Sequence, residues 1–399
     1  MTPLVLSADR VVAGTGLEII EQGAVALDDG KIDWVGRAGE ADHIDHHLDG
    51  CTIVPGLIDA HVHLCSDSGP RIETRADDAA LTLRIASNLG RFLKAGVTTV
   101  RDLGGAGTLT AQARDAVESG RIDGPRVLTA NRAITTTGGH GHQFGIECDD
   151  PASLRKAVRQ LVKDGSDWVK VMASGGFIHF VRSEGAAPYF PLFTPEEFKV
   201  VIDEAHRYGL RVAAHAQNRE AILAVFEAGI DTIEHMTFAG APQQAVIDEA
   251  LVERIAEKGT PVIPTTNNWW LTVGVPWAPI DVALANLRRL YDLGIRFVAG
   301  TDVGIPTTTP ELYAEGLRVL FEIGVPGRDV LATATTTAAD AIGLGTVTGA
   351  IAPGLSADLV ALEGDPLHDV EAYFRPRLVA RQGRVTWLGP LPEAGGRPA

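Results

Sequence analysis

Two histidines stand two residues apart at the end of an apolar run, in Val54-Pro55-Gly56-Leu57-Ile58-Asp59-Ala60-His61-Val62-His63-Leu64. The run from Thr52 reads as a buried strand. Strand side chains alternate between faces, so His61 and His63 point the same way. Two imidazoles on one side of a strand end can bind one metal ion. Taken alone, such a pair is most often two satisfied surface histidines. The rest of the chain changes that weighting, because further strand-like runs also end in metal-ligand side chains: Lys170, His215, His235 and Asp302. Each of these has an ordinary reading by itself, as a core histidine or a turn-forming aspartate. Lys170 is the sharpest oddity, since valines flank it in Trp168-Val169-Lys170-Val171-Met172. A lysine in an inner strand suffers desolvation unless its charge is removed or paired. Its amine can react with carbon dioxide to give a carbamate, an anionic oxygen ligand able to bridge two cations.

The elements that must position these residues are strands alternating with helices. Strand candidates are Thr52–Leu64, Val97–Leu103, Arg126–Ala130, Trp168–Met172, Arg211–His215, Thr232–His235, Thr260–Thr265 and Arg296–Thr301. Amphipathic stretches such as Asp77–Ala95, Ser153–Asp164, Pro195–Tyr208 and Gln244–Lys258 separate them. Thr194, Pro195 and Glu197 form a helix-start signature with a capping box. Gly96, Gly209, Gly229, Gly259 and Gly294 fall between helix and strand, where a C-terminal cap glycine belongs. Eight strand–helix units predict an α/β fold closed as a (β/α)8 TIM barrel over 55–351, with its active site at the strand C-terminal ends. Both chain ends read as short strands and turns, such as Asp28-Asp29-Gly30 and Gln382-Gly383-Arg384. Residues 1–54 and 352–399 are therefore expected to pair into one composite β-sandwich domain.

Composition narrows the partners. The formal charge of −16, from Lys+Arg 35 against Asp+Glu 51, argues against nucleic acid or an anionic membrane. A hydrophobic content of 45% over 399 residues is enough for a large core. Three cysteines, Cys51, Cys65 and Cys148, show no CxxC pattern and leave one over, which fits a reducing cytoplasm better than a disulfide scaffold. No signal-peptide pattern opens the chain and no apolar run reaches membrane-spanning length, so a cytoplasmic enzyme with a small-molecule substrate, assembled as a homo-oligomer, is expected.

The motif set resembles the amidohydrolase superfamily in its binuclear, carboxylated-lysine form. The carriers are Pro55 to His63, Lys170, His215, Ile233-Glu234-His235, Gly300-Thr301-Asp302 and Pro353-Gly354-Leu355-Ser356-Ala357-Asp358-Leu359. Thr98-Thr99-Val100-Arg101-Asp102-Leu103-Gly104-Gly105, Thr137-Gly138-Gly139-His140-Gly141 and Lys170-Val171-Met172-Ala173-Ser174-Gly175-Gly176 are similar to the prolidase-like and imidazolonepropionase-like group. The resemblance implies two divalent ions, zinc being expected. His61, His63 and Asp302 would hold the more buried ion and His215 and His235 the outer one, with carboxylated Lys170 and a hydroxide bridging them. It implies hydrolysis of an amide bond in a peptide-like substrate, N-acyl amino acid or dipeptide. Asp302 would act as base and then acid, and His140 would polarise the carbonyl.

Gln217 departs from the Tyr, His or Gly of many dipeptidase-type relatives. It joins Arg182, Tyr189, Trp269 and Trp270 as an expected substrate contact, the aromatic residues favouring an apolar or aromatic group. His142 reads as a loop histidine. Asp59 is expected deeper in the barrel and Asp102 in a structural role. Carbamate, ester or lactone hydrolysis at the same site is the alternative. A mononuclear deaminase would need a Glu shuttle where this chain has Asn218, and a non-catalytic relative would lack ligands that are present here.

Overall fold

The computed structural model describes residues 3–69, 76–176, 190–240, 244–275 and 278–389. Four strands open the chain: β1 (Leu4–Ala13), β2 (Glu18–Asp28), β3 (Lys31–Arg37) and β4 (His46–Pro55). Then come β5 (Leu57–Val62), β6 (Val97–Asp102), β7 (Arg126–Thr129), β8 (Ala133–Thr135), β9 (Ile146–Glu147), β10 (Trp168–Met172), β11 (Arg211–Ala216) and β12 (Thr232–His235). Short β13 (Ala239–Gly240), β14 (Gln244–Ala245) and β15 (Val262–Ile263) precede the C-terminal β16 (Leu359–Glu363), β17 (Pro376–Arg381) and β18 (Arg384–Leu388).

The terminal strands form one seven-stranded sheet in the order β18-β17-β16-β4-β1-β2-β3. The sheet is curled. Ile32 on edge strand β3 donates to the Leu355 carbonyl and accepts from Gly354 N–H, just ahead of β16 in the middle of the sheet. The curl encloses an apolar cluster that includes Leu6, Val11, Ile32, Ile53, Leu359 and Leu378. Where two packed sheets were expected, the terminal strands make a β-rich unit from a single hydrogen-bonded sheet that folds over its own core.

The expected strand Thr52–Leu64 is two strands. β4 runs to Pro55, which pairs with Leu359 of β16, and β5 starts at Leu57 in a different sheet. Gly56 makes the crossing: its N–H donates to the Asp358 carbonyl, and any Cβ there would collide with the Thr98 side chain. β5, β6 and β7 form one parallel sheet, and β8, β10, β11, β12 and β15 pair in parallel in another. Every residue of β5, β6 and β10 is buried, as parallel strands covered on both faces require.

The third expected strand, Arg126–Ala130, is β7. Beyond it the chain turns at Asn131, whose φ of 56° lies in the left-handed region, and a further strand that was not expected, β8, follows. The Asn131 amide side chain spans the turn, donating to the Asp164 carbonyl and Ser166 Oγ. β7 therefore pairs with β6, and β8 with β10. The eighth expected strand has no regular ladder, yet it is bonded on both sides. Val298 N–H donates to Val262 O and Ala60 N–H to Ala299 O, while Asp302 N–H donates to His61 O and His63 N–H to Val303 O. The result is an α/β fold of parallel strands, TIM-barrel-like, with a β-rich domain.

Helices cover the strands with one apolar face each. In the helix Asp78–Lys94 the buried set Leu81, Ile85, Leu89 and Phe92 follows helical spacing. The helix Pro195–Arg207 begins with the expected capping box, Thr194 and Glu197 each bonding the other's backbone. Gly229 and Gly259 cap their helices at φ 93° and 70°, a conformation that costs a non-glycine residue energy. Cys51, Cys65 and Cys148 are buried and free. Among the described residues no helix is long and apolar enough to cross a membrane.

Candidate active site

The strand ends converge on one cavity of about 450 Å³. On its floor lie His61 and His63 from β5, Lys170 from β10, His215 from β11, His235 from β12, and Asp302 after the eighth segment. The rings form a continuous set: centroids are 5.4 Å apart for His61–His63, 5.1 Å for His61–His235 and 4.5 Å for His215–His235. Asp302 Oδ1 stands 3.5 Å from His61 Nε2 and 3.2 Å from His63 Nε2. One ligand atom each from His61, His63 and Asp302 falls within 4.8 Å of the others, a group that could hold a metal ion.

Each of the four rings is tied by one nitrogen. His61 Nδ1 bonds Glu234 Oε2 at 2.8 Å and His63 Nδ1 bonds the Gly104 carbonyl at 2.8 Å. His235 Nδ1 bonds Thr265 Oγ1 at 2.8 Å, and His215 Nε2 bonds the Gly175 carbonyl at 3.0 Å. Carbonyls and carboxylates only accept, and the Thr265 hydroxyl spends its proton on the Pro264 carbonyl. The tied nitrogen is therefore the N–H in every ring, which puts the lone pair on Nε2 of His61 and His235 and on Nδ1 of His215, while His63 Nε2 faces the Asp302 carboxylate at 3.2 Å and carries a proton toward it in the absence of a cation. Burial, with positive neighbours adding to it, pushes the pKa of His61, His215 and His235 well down, so these rings are neutral. For His63 the lowering by burial is outweighed by its hydrogen bond to Asp302, and its pKa moves up. Neutral imidazole lone pairs beside a carboxylate suit a divalent cation, and rings fixed through their second nitrogen are how proteins orient such ligands.

Lys170 is 1% exposed and acts electrostatically on His61, His215, His235 and Asp302. Burial lowers its pKa to about 8, against the opposing pull of Glu234 and Asp302. Its neutral amine is thus far more populated than that of a surface lysine. Burial alone would raise Asp302, but His61, His63 and Lys170 hold it well below the carboxylate range.

The backbone at the site is strained. His235, Thr265 and Asp302 have φ of 72°, 54° and 60°. Such residues cost on the order of 1 kcal/mol or more each and persist where surrounding bonds over-determine them. Asp59 supplies part of that restraint. Its carboxylate accepts from His61 N–H, Thr301 N–H and Thr301 Oγ1 at 3.2, 3.0 and 2.6 Å, stapling β5 to the residue before Asp302. Burial raises Asp59 to about 7. Asp102 likewise serves the backbone, accepting from Leu64 and Gly104 N–H.

The walls are largely apolar: Phe144, Met172, Trp269, Trp270, Val275 and Ile305. The indole N–H of Trp269 is held by Pro306 and Thr307 and that of Trp270 by Thr265, which leaves ring faces for the cavity. His140 lines the cavity with its ring 4.4 Å from that of His215. Gln217 is 3% exposed at the cavity wall, and its Oε1 is buried with no hydrogen-bond partner among the described residues. His142 bonds back to Gly139 and does not line the cavity. Asn218 caps the helix Arg219–Ala228 through Oδ1. Arg182 and Tyr189 lie outside the described residues.

Sequence reasoning passed over the partners that hold the floor: Glu234, Arg101 and Thr265. Their signal was a Glu and an Arg inside apolar strands, where an unpaired charge is untenable.

Parallel strands that carry histidines, a lysine and an aspartate at one end, beside a β-rich domain, are the architecture of an amidohydrolase-type hydrolase. The amidohydrolase family profile matches residues 52–386, and the chain belongs to that family. Ochratoxinase of Aspergillus niger is 27% identical over 97% of this chain and 87% of its own length. The ochratoxinase crystal structure aligns with a TM-score of 0.82 at 26% identity, covering 96% of each chain. A crystal structure of a Xaa-Pro dipeptidase with bound methionine gives 0.84 at 25% identity, covering 97% of this chain and 100% of that one. Imidazolonepropionase of Deinococcus radiodurans is 28% identical over 90% of each chain.

Proposed function

We propose that this enzyme is a binuclear metal-dependent amidohydrolase that cleaves an amide bond next to an apolar or aromatic group. The observation that carries the reading is the gathering of four histidines, each tied by one nitrogen to a hydrogen-bond partner, with Asp302 and Lys170 on one cavity floor. His61, His63 and Asp302 would hold one cation and His215 and His235 the other, with Lys170 as its carbamate serving both. Zinc suits this nitrogen and oxygen set. When bound, such a pair of ions would lower the pKa of water and polarise a carbonyl.

The chain's own residues do the rest. Asp302 takes a proton as water attacks and delivers it to the leaving nitrogen. His140 donates to the carbonyl oxygen, where charge develops. Gln217 Oε1 accepts an N–H from the substrate, which favours a secondary amide over an ester or lactone. The Trp269 and Trp270 faces receive the apolar group, as in an N-acyl aromatic amino acid or a peptide-like molecule. Relatives named as an ochratoxinase and a Xaa-Pro dipeptidase agree with amide chemistry. Asn218, spent on a helix cap, argues against a deaminase with a proton shuttle at that position.

The same proposal takes the parallel strands as a closed (β/α)8 barrel over 55–351. The bonds from residues 296–303 to both β15 and β5 support it. It takes 1–54 with 352–399 as the second domain, as the shared seven-stranded sheet supports. Turnover of paired N-acyl aromatic amino acids and their ester isosteres, by protein stripped of metal and then reloaded with zinc, tests the activity. Zinc-dependent amide cleavage exceeding ester cleavage is expected. Equal turnover by stripped and reloaded protein would remove the proposal.

A further inference from the structure

Of the four ring anchors, three are neutral oxygens and one is a carboxylate: Glu234, on His61. Glu234 is itself buried, at 0% exposure, and so is Arg101. The pair is built with care. Arg101 Nη2 donates to Glu234 Oε1 at 3.0 Å, and Thr232 Oγ1 donates to the same oxygen at 2.7 Å. Arg101 Nη1 donates to Thr232 Oγ1 at 3.2 Å and Nε to the Ala60 carbonyl at 2.7 Å, next to His61. Its guanidinium lies 4.4 Å from the centre of the Trp168 ring. Each of its three nitrogens therefore has a named acceptor. A buried ion pair adds little stability over an apolar pair of the same size, so its presence asks for another reason.

We propose that Glu234, fixed by Arg101 and Thr232, is a positioning residue that locks His61 in its Nδ1–H tautomer and keeps Nε2 as a lone-pair donor. The lock follows from which partners can only donate. Arg101 has no acceptor, so whatever stands at Glu234 Oε1 must accept. With that oxygen committed, only Oε2 remains for His61, and a carboxylate oxygen can only accept there too. His61 Nδ1 must carry the proton. That these groups matter for metal binding rests on the reading of the site given above. The tautomer itself does not.

Glu234→Gln tests this with almost no change of shape. Arg101 forces the new amide oxygen into the Oε1 position, which turns the amide NH₂ toward His61 Nδ1. The ring must then shift its proton to Nε2 and lose its inward lone pair, or break the bond and rotate. Metal-ligand partners of this kind change affinity by about 10- to 100-fold when altered. The metal-free protein, labelled with ¹⁵N in its histidines, reports the tautomer of each ring by long-range ¹H–¹⁵N correlation, with His61→Asn assigning the signal. Competition with a chromophoric chelator reports zinc affinity.

The expected result is Nδ1–H at His61 in the wild type and Nε2–H in Glu234→Gln, with one of two zinc ions bound about 10- to 100-fold more weakly. Retention of Nδ1–H in the variant together with unchanged zinc affinity would overturn the inference. So would Nε2–H at His61 in the wild type, a reading that needs no variant to fold. A wild type that binds no zinc would end the metal-centre reading, and the tautomers of the two proteins would still decide this one.

Discussion

Gly176→Ala should cripple turnover without replacing any residue that meets a metal or a proton. A Cβ at position 176 would stand 2.5, 2.7 and 2.8 Å from Cε1, Nδ1 and Nε2 of His140. Non-bonded heavy atoms settle near 3.5–4.0 Å, so the ring must retreat by about 1 Å. His215 packs on the same ring, 4.4 Å between centroids, so the ring cannot retreat without disturbing that packing or leaving its place. Gly176 is not in the left-handed region, and alanine adds no backbone strain there. A misplacement of about 1 Å costs about 10²-fold in rate. Loss of a whole oxyanion donor costs about 10²–10³-fold. Gly176→Ala is therefore expected to lower kcat by about 10²-fold, close to His140→Ala, with KM little changed and metal content intact. The decisive assay is the double variant. If His140 carries the effect, Gly176→Ala adds nothing once His140 is alanine. Multiplicative losses in the double variant would show that Gly176 acts elsewhere, through the neighbouring Gly175 carbonyl on His215, and would remove His140 as the carbonyl's partner.

Asp302→Asn is expected to keep most of its metal, since the histidines remain, and to lose nearly all turnover; normal kcat in that variant would exclude Asp302 from proton transfer. Gln217→Leu should slow a secondary amide about 10-fold more than the matched ester, the worth of one neutral hydrogen bond, and an equal effect on both would place Gln217 outside substrate recognition. Asp248→Ala should lower unfolding free energy by about 1 kcal/mol near neutral pH, because its carboxylate caps the helix Glu249–Lys258 by accepting from Leu251 N–H. That hydrogen bond, with Arg219 assisting, holds the Asp248 pKa down. The contribution is present above the unfolded-state pKa and lost as pH falls through the lower folded-state value, so wild type and variant should converge in acid, as chemical denaturation at a series of pH values would reveal.

Much of the site could be read from residue spacing because period-two alternation and strand-end position are local properties. His61 and His63 face one way for that reason, and a valine-flanked Lys170 is conspicuous in any inner strand. The fold's outline followed from helix-to-strand alternation in the same way. What spacing could not reveal depends on partners distant in sequence. Gly56 reads as part of one long apolar strand, yet the Thr98 side chain and the Asp358 carbonyl make it the crossing between two sheets. Asn131 turns the chain between β7 and the unexpected β8 with its amide held by Asp164 and Ser166, more than thirty residues on. The eighth segment is held instead by distant partners: Asp59 accepts from Thr301, and just past the segment the backbone turns left-handed at Asp302. The Arg101–Glu234 pair joins residues 133 positions apart, and each alone looks like an error in an apolar strand.

The central claim is a binuclear centre bridged by a modified lysine. Protein expressed and purified without chelator, in buffer equilibrated with carbon dioxide, can be crystallised and measured at the zinc absorption edge. Two anomalous peaks per chain, one among His61, His63 and Asp302 and one between His215 and His235, with density for a carbamate extending from Lys170 Nζ to both, is the predicted result. An unmodified Lys170 and no metal at those side chains, in protein that turns over its substrate, would contradict it.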